Sequence, residues 1–316
     1  MTNAIELNQV TKRFGNQTAV DSIDLSVPEG SIYGFIGPNG SGKTTTLRMI
    51  LRIYQPDEGT VCVLGQTKGK TADNRLGYLP EERGLYKRMK VRDVLRYYAR
   101  LKGSYDCQPQ IDYWLERLGA TQWANKKVDA LSKGMAQKVQ FISAVVAKPQ
   151  LVIFDEPFSG LDPVNLESLR EAVLSLRQSG TTIVFSTHDM EMAEKMCDTI
   201  FMIFNGKKVL DGTLDSIQSA YPADRVRVKV EYFPADGSPN QFGESAVPEV
   251  EGITDVQFNG HYHTFKLAQP HPTERIQDVL LQLSAQRVIS HFEVIKPSLH
   301  DIFVQIARPA ERNGFG

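Results

Sequence analysis

The sequence holds few cysteines, almost no net charge and no long apolar run. Its three cysteines (Cys62, Cys107, Cys197) are odd in number and widely spaced among 316 residues. They make neither a disulfide framework nor a CxxC zinc pattern, so a reducing compartment is expected. Lysine plus arginine total 36 and aspartate plus glutamate 37, a formal net charge of -1. No global positive field exists to hold nucleic acid, and no nucleic-acid partner is expected. The most apolar stretches, residues 151–154 and 200–204, fall far short of the roughly 18–20 residues that span a bilayer. The first residues, MTNAIELNQVTKRFG, contain no apolar signal core, so secretion is not expected. Work at a membrane would need a second chain to supply the membrane part. The sequence also shows no internal repeat and no low-complexity tract.

An apolar fraction of 41% and a charged fraction of 23% are ordinary for a globular protein. At about 150 residues per domain, the length predicts two domains. The first two thirds alternate short apolar runs (SIYGFI at 31–36, LVIF at 151–154, TIVFS at 182–186) with helical patterns at 44–53 and 166–178. That order predicts an α/β fold whose parallel strands are buried on both faces. A helical insert is expected at about 84–148, with helices at 91–101 and 110–118. A boundary falls near 216–223, giving domains 1–218 and 219–316. Beyond it, Val226, Val228, Val230 and Tyr232 alternate with Arg225, Arg227, Lys229 and Glu231, a strand with one wet face. A Pro/Gly/Ser-rich loop follows at 234–248, and Asn259-Gly260 predicts a hairpin turn. A helix at 273–286, with Ile276, Val279, Leu280 and Leu283 on one face, leads to a strand at 288–295. A last helix at 298–307 is capped by Ser298, with Asp301 three residues on. The second domain is therefore expected to be a small α+β unit.

Three segments carry chemistry. Gly37-Pro38-Asn39-Gly40-Ser41-Gly42-Lys43-Thr44, followed by Thr45, fits G-x4-G-K-[ST] between a predicted strand and a predicted helix. Gly37, Gly40 and Gly42 let backbone N–H groups, with Asn39 and Ser41 among them, turn inward around phosphate oxygens. The helix N-terminus adds positive potential. Lys43 can reach the outer phosphates, and the Thr44 hydroxyl can ligate Mg²⁺. In Leu151-Val152-Ile153-Phe154-Asp155-Glu156 a buried strand ends in two carboxylates. Asp155 would hold Mg²⁺ through water, and Glu156 would point into the site and activate an attacking water. Such an ending is commonplace alone and gains meaning from the phosphate loop. Leu131-Ser132-Lys133-Gly134-Met135 opens a helix running to about residue 148, with Ser132 at its N-cap. Met135, Val139, Ile142, Val145 and Val146 are its expected buried stripe.

Taken together, in this order, these motifs over about residues 4–218 resemble the ATP-binding subunit of an ABC (ATP-binding cassette) transporter. LSKGM resembles the family's LSGGQ signature, departing at Lys133 and Met135. Ser159-Gly160-Leu161-Asp162 resembles the loop that crosses the dimer interface, His188 matches the switch histidine, and Phe14 matches the aromatic that stacks on adenine. The resemblance implies a P-loop ATPase fold that takes ATP and Mg²⁺. It implies a head-to-tail dimer with a second ATPase subunit, a homodimer by default, in which the phosphate loop of one chain faces Ser132, Gly134 and Asp162 of the other. It further implies a separate integral membrane permease, docked on the helical insert near Glu81 to Tyr98, and so a cytoplasmic protein held at the inner face of the cell membrane. In Gly77-Tyr78-Leu79-Pro80-Glu81, Glu81 stands where the family commonly has glutamine. A carboxylate can still ligate Mg²⁺ but cannot donate a hydrogen bond when ionised. Pro297-Ser298-Leu299-His300-Asp301-Ile302-Phe303 resembles the P-S-L-x-D-x-F ending of bacterial members assigned to sodium or drug export.

Blander readings compete. A lone Phe14 is more often core than a stacking platform, and a lone histidine is usually a surface or structural residue. Only the place of His188 after the TIVFS run lifts it. His261 and His263 share one strand face without an acidic or cysteine neighbour, which favours solvated or structural histidines over a metal site. An ABC-type ATPase without a permease is the alternative at the level of function. Such members commonly carry two cassettes or long coiled coils, and this chain has one phosphate loop and no heptad arm.

Overall fold

The computed structural model describes residues 2–67, 73–82, 84–221, 223–231, 251–258, 262–267, 272–286 and 288–307. The expected loop at 234–248, Tyr232, the Asn259-Gly260 turn and His261 lie outside them. The chain packs as two compact units, Met1–Leu214 and Asp215–Gly316.

In chain order the first unit runs β1 (Asn3–Phe14), β2 (Gln17–Pro28), β3 (Ile32–Ile36), α1 (Lys43–Ile50), β4 (Glu58–Val63), β5 (Leu76–Leu79), α2 (Val91–Leu101) and α3 (Gln108–Arg117). It continues through α4 (Lys133–Val145), β6 (Leu151–Asp155), α5 (Pro163–Gln178), β7 (Thr182–Thr187), α6 (Met190–Met196), β8 (Thr199–Phe204) and β9 (Lys207–Gly212). A six-stranded sheet has the order β5-β6-β7-β3-β8-β9. Its pairs are parallel from β5 to β8, and β9 closes the edge antiparallel.

The central strands are apolar at successive positions because both faces are covered. Val152 and Phe154 of β6 enter a core with α2–α5, where Phe141 of α4 stacks on Phe154 at 5.2 Å. Leu151 and Ile153 enter the opposite core with Leu47, Ile50 and the second sheet. That second sheet, antiparallel with order β2-β1-β4, is absent from the sequence reading. Its long strands do not keep period-2 alternation. Gln9 and Ser22 both take left-handed backbone (φ 49 each), and the β1–β2 register shifts between Leu7 and Val10. Each bulge flips the faces that follow it, which erases the pattern.

Three helices depart from expectation. The helix expected at 44–53 ends at Ile50, where Arg52 turns to φ 59. The helix expected from 166 begins at Pro163, because Asp162 caps it by accepting from the Val164 and Asn165 amides and proline suits the first turn. The α4 stripe is too narrow a description. Met135 is only half-buried, while Gln137, Lys138 and Gln140 on the polar side are buried. Their side-chain nitrogens donate to the backbone carbonyls of Pro157 (3.0 Å), Leu118 (3.2 Å) and Pro80 (3.0 Å) respectively.

Helix α7 (Leu214–Ser219) leads into the second unit: β10 (Arg225–Glu231), β11 (Ile253–Phe258), β12 (His263–Leu267), α8 (Pro272–Gln286), β13 (Val288–Ile295) and α9 (Leu299–Ala307). Its sheet is antiparallel, order β11-β12-β10-β13. Val226, Val228, Phe265 and Leu267 form its core with Val279 and Leu283 of α8. His263 is a packing residue here, stacked 4.6 Å from Phe258, and burial holds its imidazole below the ordinary value. Among the described residues no group of three or more His, Cys, Asp or Glu side chains is placed to hold a metal ion. No helix among them is long and apolar enough to cross a membrane.

Candidate functional site

Three neighbouring parallel strands deliver the motifs to one end of the sheet. Strand β3 ends at Ile36, opposite Thr187 of β7, and Asp155 closes β6 opposite Ser186. The carboxyl ends of parallel strands are where α/β sheets place ligands. The turn after β3 has no room for side chains at two of its glycines. Gly42 sits at φ 114, and a Cβ on it would lie 2.6 Å from the Ala19 carbonyl oxygen. On Gly37, at φ 151, a Cβ would lie 2.2 Å from the Ile203 carbonyl oxygen. Gly42 begins α1 without a side-chain cap, so the first amides of α1 remain open to an acceptor.

Lys43 is buried, and its ammonium donates to the carbonyls of Gly37 (2.7 Å) and Pro38 (3.0 Å). Burial lowers its pKa, with Glu156, Asp155 and Glu81 pulling the other way. The Ser41 hydroxyl is buried with no partner of its own. A buried unpaired hydroxyl beside open helix amides and an ammonium is what an anion with several acceptor oxygens would complete.

Opposite the loop, Asp155 is buried and accepts a hydrogen bond from the Ser186 hydroxyl. Glu156 follows in left-handed backbone, φ 51. Its amide donates to Ser186, to the carbonyl at 3.2 Å and the hydroxyl at 3.3 Å. Its carboxylate lies 2.9 Å from Nδ1 of His188, and its side chain is 9% exposed against 59% for the imidazole. An ionised carboxylate only accepts, so the ring N–H donates.

A cavity of about 350 Å³ is lined by Phe14, Asn39, Gly40, Gly42, Lys43, Thr44, Thr45, Glu81, Asp155 and Glu156, with Gln17 and Ala19. Gly37 and Ser41 belong to the same loop, and His188 joins through Glu156. Phe14 stands 45% exposed at the rim, its edge set by Tyr54 at 5.4 Å and 71°. The donor set of Thr44, Asp155 and Glu81 is all oxygen, which fits a hard cation such as Mg²⁺. Glu82 contributes no side chain to the cavity lining; its carbonyl accepts from Gln140.

Ser132, Gly134 and Asp162 do not line this cavity. They lie elsewhere. A Cβ on Gly134 would meet the Asn165 amide at 3.0 Å, and that amide donates to Asp162. Ser132 caps α4 by accepting from the Met135 amide at 3.3 Å. Sequence reasoning missed Ser186, Gln17 and Tyr54. Ser186 had a signal, its place in the strand immediately before Thr187-His188; the other two had none. A larger cavity of about 750 Å³, lined by Tyr113, Trp114, Lys148 and Gln150 among others, lies at the opposite strand ends and holds none of these groups.

A mainly parallel sheet with a glycine loop, a lysine and paired carboxylates at its carboxyl end defines a P-loop ATPase fold. Residues 20–159 match the family model described as ABC transporter. Residues 212–307 match the model described as ATP-binding protein DrrA1-3-like, C-terminal domain. The uncharacterized ABC transporter ATP-binding protein YhaQ of Bacillus subtilis is 43% identical over 303 residues, 95% of this chain and 97% of that protein. The Nod factor export ATP-binding protein I of Paraburkholderia xenovorans is 36% identical over 214 residues, 66% of this chain and 70% of that one. A solved structure of the ATP binding subunit of an ABC transporter superposes with a TM-score of 0.65 at 29% identity, covering 70% of this chain and 93% of the other. The chain belongs to the ABC transporter ATP-binding proteins, and its enzyme class is ATPase.

Proposed function

We propose that two copies of this chain, head to tail, hydrolyse ATP at shared sites and thereby power export through a separate membrane permease. The observation that carries this is the split of the motifs. One chain brings the phosphate loop, Asp155, Glu156 and Glu81 to a single cavity and keeps Ser132, Gly134 and Asp162 away from it. A second copy turned end to end would supply the missing half. The first unit is then the ATPase domain, with its helical insert formed by α2, α3 and α4, and the second unit is the accessory domain.

In this reading Lys43, the first amides of α1 and the Ser41 hydroxyl hold phosphate oxygens, and Phe14 stacks on the base. Thr44, Asp155 and Glu81 hold Mg²⁺, which when bound draws negative charge from the phosphate oxygens. Glu156 orients the attacking water and accepts its proton, and His188 fixes the Glu156 carboxylate by its 2.9 Å hydrogen bond. The rate enhancement is mostly positioning and electrostatics. The exposed Tyr86, Tyr97 and Leu101 on and beside α2 support the insert as the permease-docking face. The Nod factor export relative supports export. The chain would then work in the cytoplasm, held at the membrane by the permease.

Mixing two inactive variants tests the shared site. Lys43→Ala removes the phosphate lysine, and Ser132→Arg blocks the opposing helix end. Each alone should lose ATPase activity, and mixed dimers should regain part of it through the one intact composite site. Mixed dimers that form but stay inactive would exclude sharing.

A further inference from the structure

We propose that Ser186 is a positioning residue for hydrolysis, its single hydroxyl setting both carboxylates of the β6 terminus. It rests on the nucleotide site proposed above and adds a residue that no motif there contains. Ser186 is fully buried in β7, with no path to a ligand of its own. Its hydroxyl donates to Oδ1 of Asp155 and lies 3.3 Å from the Glu156 amide, from which it accepts. A serine hydroxyl has one proton and two lone pairs, so it serves both contacts at once.

The two contacts have different consequences. Asp155 is 2% exposed, and with one oxygen held by Ser186 the other is left for the metal side of the cavity. Without that donor, a buried carboxylate oxygen loses its partner and the carboxylate is free to rotate. Glu156 takes left-handed backbone at φ 51, an uncommon conformation for a residue with a side chain. Its amide is shared between the carbonyl and the hydroxyl of Ser186, and this pairing holds the turn that aims the side chain at the cavity. Partners of this kind around a metal site commonly contribute about 10–100-fold in metal affinity or activity.

The test uses the full chain with Ser186→Ala, Ser186→Cys and Ser186→Thr. Cysteine fills the space with a weak donor, and threonine restores the hydroxyl on a β-branched side chain suited to a strand. Alanine and cysteine should each lower kcat by about 10-fold or more and raise the Mg²⁺ needed for half-maximal rate by a similar factor. KM for ATP at saturating Mg²⁺ should stay near wild type, and threonine should restore both the rate and the Mg²⁺ requirement. Equilibrium ATP binding in a Glu156→Gln background gives a readout without turnover. Affinity without Mg²⁺ should be unchanged by Ser186→Ala, while the gain on adding Mg²⁺ shrinks. Wild-type behaviour of alanine would overturn the proposal, and so would a fully active cysteine variant, because packing alone would then explain the alanine loss. An equal loss of ATP affinity with and without Mg²⁺ would also overturn it. Failure of the site reading itself looks different, because Glu156→Gln would then hydrolyse ATP normally.

Discussion

Glu156 leaves β6 in left-handed backbone with its side chain nearly enclosed and bonded to a histidine that is mostly in water. In its proposed role as general base, Glu156 so placed would accept a proton at one spot. Glu156→Gln keeps the volume and removes the base. ATP binding should survive while turnover falls by at least about 100-fold, measured as steady-state phosphate release beside equilibrium ATP binding. Near-normal turnover would take Glu156 out of that role. At this scale the gathering of the glycine loop, Lys43 and the strand-end carboxylates at one cavity was legible, because the proposed phosphate binding calls for those residue types at fixed spacing. The place of Ser186 before Thr187-His188 was a signal, but its bond to Asp155 was not legible, because a serine in an apolar strand has the same spelling whether it bonds a carboxylate or only fills space.

The elements divide in the same way. β3, β6 and β7 announce themselves as short apolar runs because both their faces are buried. β1 and β2 are longer yet went unread, since the left-handed residues Gln9 and Ser22 break the alternation. Helix α4 misled for a different reason: its polar side is buried too, and Gln137, Lys138 and Gln140 reach carbonyls distant in sequence that no local pattern shows. Helix α9 was plainer, because its cap is local. Ser298 Oγ donates to Asp301 at 2.7 Å, and the Asp301 amide donates back to Ser298 Oγ at 3.1 Å. Burial pushes the Asp301 carboxyl up, but Ser298 and the Arg225 guanidinium together outweigh it and hold the carboxyl below its ordinary 3.8. A depressed carboxyl contributes stability above the unfolded value and loses it as pH falls through the folded one. Asp301→Ala should therefore cost about 1 kcal/mol near neutral pH, read by denaturant unfolding of the full chain. The gap from wild type should shrink as pH drops below 3.8. A gap that stays constant with pH would show that the cap does not depend on the charge.

At the scale of the whole molecule, the first unit carries every residue assigned to the chemistry, and the second matches a different family model. Tagged and purified from its own host in mild detergent, the chain should bring down a polytopic membrane protein. Removal of the exposed aromatics by Tyr86→Ala with Tyr97→Ala should weaken that recovery and leave ATP binding intact. Recovery of the chain free of any membrane protein would favour the permease-independent alternative. The setting of the lysine in the phosphate loop bears on the proposed nucleotide exchange. Lys43 leans on two carbonyls of its own loop. Folding has already taken most of its water away, so in the proposed role a nucleotide would exchange one pair of oxygens for another. The loop thus keeps the lysine's place with atoms of its own, a site that would take a phosphate without first rebuilding itself.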